Sequence, residues 1–552
     1  MDAKGNIETA LKNALLKLGL EADVVLDHPA ELTHGDYSCN VALAAAKKAG
    51  KNPKVLAEEI LKEVGVIEGV ESVSVAGAGF LNFKLSKDFF PQATADILRQ
   101  GEKWGRNDHV KGYKVMVEYT DPNPFKEFHI GHLMSNATGE AIARFVDFSG
   151  ANVLRANWQG DVGPHVARAI WGKLQKPELA WGAAYTYGSE QYEANKEAID
   201  TINQEVYDKS NPKINELYAI GRKESLEHFE DIYKILGTKF DYYFFEGTEG
   251  LEGIPLVKAG LQKGIFEESD GAVVFKGEQH GLHTRVFLTT KGLPTYETKE
   301  LGLNQAKFEK EPDIGLSIII TASEQSEYFR VVLKAMEQVL PDIAAKTKHI
   351  SHGMMQLTSG KMSSRKGNVI TGESLIEDMR AKALEKMADR DLGDEKQRVA
   401  DAVAVAAIKY SILKQARGKN IIFDPEASLS FEGDSGPYLQ YAHVRARAIL
   451  RKAEEEKVSA SADTGGGEVT ILEKLLYRFP EVVFRSAKEN EPHHVTTYLT
   501  ELASTFNSWY AGTKIVDVND AESPYKVALT QAFALTMKNG LWLLGIQAPE
   551  KM

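Results

Sequence analysis

The amino-acid sequence predicts an α/β protein in three parts. These are an N-terminal α+β module over residues 1–108, a parallel-sheet domain over 109–394 with an inserted segment at about 173–270, and an all-α helical domain over 395–552. Three observations carry this reading. Around residues 115–157 a short apolar strand runs into a proline-containing loop, a helix and a second strand, the βαβ pattern of a parallel nucleotide-binding sheet. The chain before it mixes helical periodicity with alternating apolar runs, and the chain after about residue 395 is dominated by helical periodicity. The length, 552 residues, suits three or four domains at roughly 150 residues each.

In the first part, Ile7, Leu11, Leu15 and Leu18 fall on one face of a helix near 6–18, and a second helix is expected at 53–64. Val70–Val75 and Phe80–Leu85 read as strands joined by Ala76-Gly77-Ala78-Gly79, a tight turn. The charge-rich stretch Gly101–Gly112 reads as a linker. Val115–Tyr119 is the next strand, and Pro122 and Pro124 keep the following residues out of a helix. A helix is expected from about Gly131 to Phe148, with Ala137, Ala141, Phe145 and Phe148 on its apolar face, and Val153–Asn157 is the strand after it. The polar helical stretch from about 173 to 235 reads as an insertion. Apolar strands return at Ala272–Phe275, Arg285–Leu288 and Ile314–Thr321 and are expected in the same sheet. Val399–Leu413 and Tyr438–Lys452 are helical, and Val458–Gly467 is an interhelical loop.

Composition narrows the function. Lys+Arg is 66 and Asp+Glu 78, a formal charge of −12, which argues against a protein coated in nucleic acid but leaves room for a local basic surface. With 43% hydrophobic and 26% charged residues, the chain is that of a globular protein. Its one cysteine, Cys39, excludes an intramolecular disulfide framework and a Cys-rich zinc site, so no protein-bound structural metal is expected. No apolar stretch is long enough to span a membrane, and the N-terminus does not look like a targeting peptide.

Two motifs carry chemistry. His129-Ile130-Gly131-His132 follows the first strand of the βαβ unit. If it opens a helix, unpaired N–H groups and the helix dipole face a bound anion, two imidazoles can donate to phosphate oxygens, and Gly131 lets a flat base approach the backbone. Lys126 stands three residues upstream. Far downstream, Lys361-Met362-Ser363-Ser364-Arg365-Lys366 is a run of cations and hydroxyls bounded by Gly360 and Gly367. Such a loop suits charge stabilisation on a polyphosphate during nucleotidyl transfer.

HIGH followed at a distance by KMSSR resembles the paired signatures of class I aminoacyl-tRNA synthetases, whose catalytic domain is Rossmann-like. The flanks resemble the arginyl-tRNA synthetase family in particular. Val117–Asn123 with Lys126–His129 is similar to its site entrance, Tyr296-Glu297-Thr298-Lys299-Glu300 to its Tyr-x-x-x-Asp signature, and Asp434–His443 to the start of its anticodon-binding domain. Gly35–Ser38 and Gly79–Phe83 are similar to its additional N-terminal domain, and Leu544–Ile546 with Pro549–Met552 to its C-terminal end. The resemblance spans essentially the whole chain.

It implies an arginine–tRNA ligase with L-arginine, ATP with Mg²⁺, and tRNA(Arg) as partners, cytoplasmic and monomeric. His129, Gly131, His132, Lys361, Met362, Ser363, Ser364 and Arg365 would bind ATP, and His129, His132, Lys126 and Lys361 would act in catalysis. Glu118, Asp121, Pro122, Asn123, His132, Tyr296, Glu300 and Gln325 would hold arginine. A guanidinium presents five donors in a plane and wants carboxylates and a hydroxyl there, which Glu118, Glu300 and Tyr296 can supply. Glu300 stands where the family usually has Asp, which moves the carboxylate by about 1.5 Å. Tyr438, Tyr441, Arg445 and Trp509 are the candidates for tRNA contact, with Arg447, Arg451 and Tyr510 nearby, since basic and aromatic side chains suit exposed loop bases. The resemblance also suggests that adenylate formation requires bound tRNA. A nucleotidyltransferase of the same superfamily acting on a small molecule, and a non-catalytic tRNA-binding paralogue, are the alternatives.

Overall fold

The computed structural model describes residues 2–29, 31–358, 371–463 and 467–552. They divide into two compact units, one of residues 1–104, 445–479 and 501–537, the other of 105–444, 480–500 and 538–552.

The first unit contains a four-stranded antiparallel sheet. Its strands are β1 (Leu26–Asp27), β2 (Tyr37–Cys39), β3 (Val70–Ala76) and β4 (Phe80–Leu85), in the order β1-β2-β4-β3. The helices Ala3–Lys17 and Pro53–Val64 cover it. Ile7, Leu11 and Leu15 are buried as the periodicity predicts, in the same core as Leu81 and Phe83 of the sheet, while Leu18 is only partly covered. The β3–β4 turn needs its glycines. Gly79 has φ +131°, and a Cβ there would sit 2.8 Å from the Pro53 carbonyl oxygen. Asp36 is a structural lock, not a ligand site. Its carboxylate accepts from the Leu85 N–H at 2.8 Å and pairs with Lys474 at 3.0 Å.

The second unit is Rossmann-like. Strands β5 (Lys114–Glu118), β6 (Asn152–Gln159), β7 (Tyr242–Phe245), β11 (Ile314–Ala322) and β12 (Thr347–His352) form one parallel sheet in the order β12-β11-β5-β6-β7. The chain winds outward from β5 through β6 to β7, then returns to β11 and β12 on the other side. The order therefore reverses between β5 and β11, and α/β sheets place ligands outside the carboxyl ends at such a point.

Two expectations are corrected. Ala272–Phe275 (β9) and Arg285–Leu288 (β10) do not join this sheet. With β8 (Glu267–Ser269) they form a separate antiparallel sheet, turned at Asp270-Gly271, where both residues have positive φ. The inserted segment at about 173–270 also includes β7, which pairs in parallel with β6, so the sheet resumes within that range. Short β13 (Met355–Leu357) and β14 (Ile421–Phe423) pair in parallel beside the main sheet.

The helix Ile130–Phe148 connects β5 to β6, and its inner turns are held by Glu140. This buried carboxylate accepts from Arg144 Nε at 2.6 Å, Tyr119 Oη at 2.5 Å and Arg155 Nε at 3.3 Å. Arg144 also donates to the carbonyls of Trp542 (2.7 Å) and Gly237 (3.0 Å). Nearby, the buried Lys409 ammonium donates to the carbonyls of Leu236 and Gly545. Burial alone would raise the Glu140 carboxyl, but Arg144, Arg155 and Lys409 pull it down to about 2. A depressed carboxyl contributes stability above its ordinary value of 4.5 that is lost as pH falls towards about 2. Glu140→Gln should therefore cost about 3 kcal/mol in urea unfolding at neutral pH. The difference from the parent chain should shrink when the same unfolding is followed near pH 3.

Candidate active site

The chain leaves β5 through a strained loop. Thr120, Asp121 and Phe125 all have positive φ (81°, 49° and 70°), which costs roughly 1–3 kcal/mol per residue and is tolerated where the surroundings fix it. Here they do. The Thr120 N–H donates to Ser135 Oγ (2.8 Å), the Phe125 N–H to Ser225 Oγ (2.9 Å), and Asp121 accepts from the Trp158 N–H (2.8 Å). Asn123 accepts from the Gly160 N–H at 3.1 Å. The loop is thus tied to β6, to the helix after it and to the helix Pro212–Leu236.

This positions His129 as the residue capping the helix Ile130–Phe148. Its N–H donates to His132 Nδ1 at 3.1 Å, and the two imidazoles stack with centroids 3.6 Å apart, on the same side as the spacing predicts. Desolvation and the Lys126 charge hold His129 below the usual imidazole range. Burial, then His129 and Lys126, hold His132 well below it. Both are neutral at pH 7 and can each donate one N–H. A Cβ on Gly131 would lie 2.9 Å from the His129 ring, so glycine is what permits the stack.

A cavity of about 730 Å³ opens there, between the carboxyl ends of β5 and β11. His129, Gly131, His132, Asp121 and Gln325 all line it, and so does Glu324, the neighbour of Gln325. Residues 355–357 of β13 form part of its wall. Lys361, Met362, Ser363, Ser364 and Arg365 lie outside the described residues. Lys126 does not line this cavity. Its ammonium sits 5.1 Å from the Tyr185 ring centroid.

Beside the cavity is an acidic cluster. Glu300 follows Tyr296 by one turn of the helix Tyr296–Lys310. Glu300 is buried and Tyr296 is exposed. Burial, then the Glu118 charge, push the Glu300 carboxyl up to about 8. Asp121 is likewise raised well above its ordinary value, by desolvation and then by Glu118. Glu118 is buried and paired with Lys307, a residue the sequence reading missed. Lys307 lies two turns beyond Glu300 on the same helix, so helical spacing alone could have flagged it. A second unforeseen pair, Lys299 with Glu246 at 2.5 Å, is buried on the same side. Pro122 is buried and does not itself line the cavity.

The tRNA candidates lie apart from these groups in sequence. Tyr438, Tyr441 and Arg445 share the helix Gly436–Glu455 and are partly exposed. Arg445 is engaged by Asn507 and lies over the Tyr510 ring at 5.4 Å, and Trp509 is half-buried beside Phe506. Among the described residues, no group of three or more His, Cys, Asp or Glu side chains is arranged to hold a metal ion, and no helix is long and apolar enough to cross a membrane.

A switch-point cavity opening onto a histidine-bearing helix N-terminus defines the class, and the comparisons agree. Residues 93–425 match the model of the class I (R) tRNA synthetase catalytic domain, and the chain is a class I aminoacyl-tRNA synthetase. Residues 439–552 match the DALR anticodon binding domain, and residues 4–85 the arginyl tRNA synthetase N terminal domain. Similar curated proteins include the arginine–tRNA ligases of Streptococcus suis (32% identical) and Limosilactobacillus reuteri (31% identical), each matched over the full length of both chains. The solved arginyl-tRNA synthetase of Thermus thermophilus superposes with a TM-score of 0.81 at 25% identity, covering all of both chains. The chain belongs to the arginyl-tRNA synthetase family.

The raised Glu300 carboxyl has a stability consequence. It favours the fold while protonated, and that contribution is lost as pH rises from the ordinary carboxyl value through about 8. Glu300→Gln cannot ionise. Its thermal midpoint should match the parent chain at about pH 5 and exceed it at about pH 9 in scanning calorimetry.

Proposed function

We infer that this chain carries out the reaction of its family, the ATP-dependent joining of arginine to tRNA. The arginine carboxylate attacks the α-phosphorus of ATP and pyrophosphate leaves. A ribose hydroxyl of the terminal tRNA adenosine then attacks the arginyl carbonyl, and AMP leaves. No covalent bond to the protein forms, so the protein acts by positioning and by charge stabilisation.

The observation that carries this reading is the uncompensated acidic cluster beside the cavity. Among the described residues, Glu300, Asp121 and Glu118 have one buried ammonium beside them, Lys307. A planar cation with several donors satisfies that imbalance, and arginine is the amino acid that brings one. Glu300 and Asp121 receive the guanidinium, Tyr296 adds its hydroxyl from the exposed side, and Glu118 completes the acidic wall. Asn123 and Gln325, with Pro122 shaping the loop, hold the α-amino and carboxylate end next to His132. ATP lies against the helix N-terminus, with His129 and His132 as N–H donors and Gly131 beneath the base. Lys361, Met362, Ser363, Ser364 and Arg365 close on its phosphates, and Lys126 adds charge beside the histidines. Mg²⁺ enters with ATP, held by phosphates and water.

Tyr438, Tyr441, Arg445 and Trp509 contribute to tRNA binding within the helical domain at 395–552, and the module at 1–108 adds a further contact. Action as a monomer is part of the same proposal. Free tRNA as a substrate supports a cytoplasmic site of action.

Charging of tRNA with each amino acid in turn tests this reading. Arginine should be the good substrate, with lysine and citrulline far weaker, and pyrophosphate exchange should appear only with tRNA present. Citrulline, which is uncharged, charging as well as arginine would contradict the carboxylate pocket. Gly131→Ala should displace the His129 ring and raise the KM for ATP about tenfold, equivalent to about 1.4 kcal/mol, with a smaller change in the KM for arginine.

A further inference from the structure

Gly372 opens the helix Gly372–Lys386, and Thr371 caps it, its hydroxyl accepting from the Ser374 N–H at 3.0 Å. This helix start is fastened to the chain at the first motif. Thr371 forms an isolated antiparallel bridge with His129, and the Gly372 N–H donates to the Phe128 carbonyl oxygen at 2.5 Å. A Cβ on Gly372 would lie 2.8 Å from the Phe128 ring and 3.1 Å from the Leu133 side chain. Gly372 does not have a positive φ, so this position needs glycine for room and not for backbone freedom. Phe128 has little space to give way. It is buried, and its ring centroid lies 5.1 Å from that of His132, 6.2 Å from Phe229 and 6.4 Å from Tyr233. Close-packed interiors pass small displacements on to their neighbours. A second tie, Glu373 with His228 at 3.2 Å, is half exposed and adds little. The close approach at Gly372 therefore sets how near this helix comes to the two histidines.

We propose that Thr371-Gly372 is a positioning element of the nucleotide site. It seats the helix Gly372–Lys386 against Phe128, and through the Phe128 ring and the His129 backbone it fixes where the stacked imidazoles stand. This rests on the ATP reading above and adds to it two residues that act through others. The helix is itself held down by Leu375, Ile376, Met379 and Ala383, all buried, so its first residues have a fixed place. His129 and His132 each have one N–H to aim at ATP, and a misplacement of about 1 Å in a positioned group costs up to about a hundredfold in rate. A single methyl group at this contact, forcing part of such a shift, is enough to be measured. In sequence, Thr371 follows Gly367, the end of the second motif, by four residues. The chain that has just left the second motif is thereby fastened to the first.

The test is steady-state tRNA charging by the full chain, with the KM for ATP and the KM for arginine measured separately. Gly372→Ala should raise the KM for ATP about fivefold and leave the KM for arginine within about twofold of the parent. A KM does not depend on the fraction of protein that is active, so a merely structural defect would lower the maximal rate and leave both KM values in place. Phe128→Leu removes the ring that the added methyl group would strike. Adding Gly372→Ala to Phe128→Leu should therefore change the KM for ATP by less than about twofold. An unmoved KM for ATP in Gly372→Ala, or the same fivefold rise in the Phe128→Leu background, overturns the proposal while arginine charging stands. If Gly372→Ala does not fold, the double variant should fold, because the obstructing ring is gone, and should match Phe128→Leu in its KM for ATP. A double variant that fails to fold, or that departs from Phe128→Leu, overturns the proposal. A parent chain that charges tRNA with no arginine overturns the proposed function instead.

Discussion

Carboxyl groups crowded at the carboxyl end of β5, with too little positive charge to balance all of them as carboxylates, are the constraint around which this site is built. Glu118 ends the strand, Asp121 sits in the strained loop after it, and Glu300 faces them from a separate helix. Ionised carboxylates at such positions are costly unless paired. The fold answers with Lys307 for one of them and with protonation for Glu300, whose carboxyl stays largely neutral below about pH 8. On the proposed reading, the guanidinium of bound arginine completes this arrangement as an electrostatic unit. Destabilised groups of this kind cluster where binding needs them.

Glu140 is the contrast. It is as deeply buried as Glu300, but two arginines, a tyrosine and the nearby Lys409 surround it, and its carboxyl is pulled down instead of up. On the proposed arginine reading, that difference separates a structural charge from a binding one. The Glu140 set joins the helix carrying His129 and His132 to β6, and Arg144 reaches on to the residues near the C-terminus. It fixes the rear of the helix. The hydrogen bonds of Thr120, Asp121, Asn123 and Phe125 fix the loop leading into its front. The two imidazoles stack between these anchors, and Gly131 provides the space they need.

Much of this was legible in the sequence, for physical reasons that differ by element. Val115–Glu118 and the helix from Ile130 to Phe148 declare themselves by apolar periodicity and by the prolines between them. The four-residue strands Ala272–Phe275 and Arg285–Leu288 are apolar too, but so short a run carries no information about its partner, and they pair with each other. Tyr242–Phe245 is wholly aromatic, without alternation, and disappears into an insertion when read as sequence. Asp121, His129, Gly131, His132 and Gln325 meet at one cavity because each follows a strand end or opens a helix, which sequence can locate. Lys307 and Lys409 escaped notice because a lysine in a helix reads as a solvent-facing residue. Only the three-dimensional structure shows that both are buried and held by specific groups.

The central claim is that arginine binds to a carboxyl group, that of Glu300, which is protonated before it arrives. Isothermal titration calorimetry of arginine into the full chain, repeated at about pH 7 in buffers of different ionisation enthalpy, counts the protons exchanged. The account predicts release of close to one proton per arginine at that pH, with the release fading as pH rises past about 8. Arginine binding with no proton release at neutral pH would contradict it.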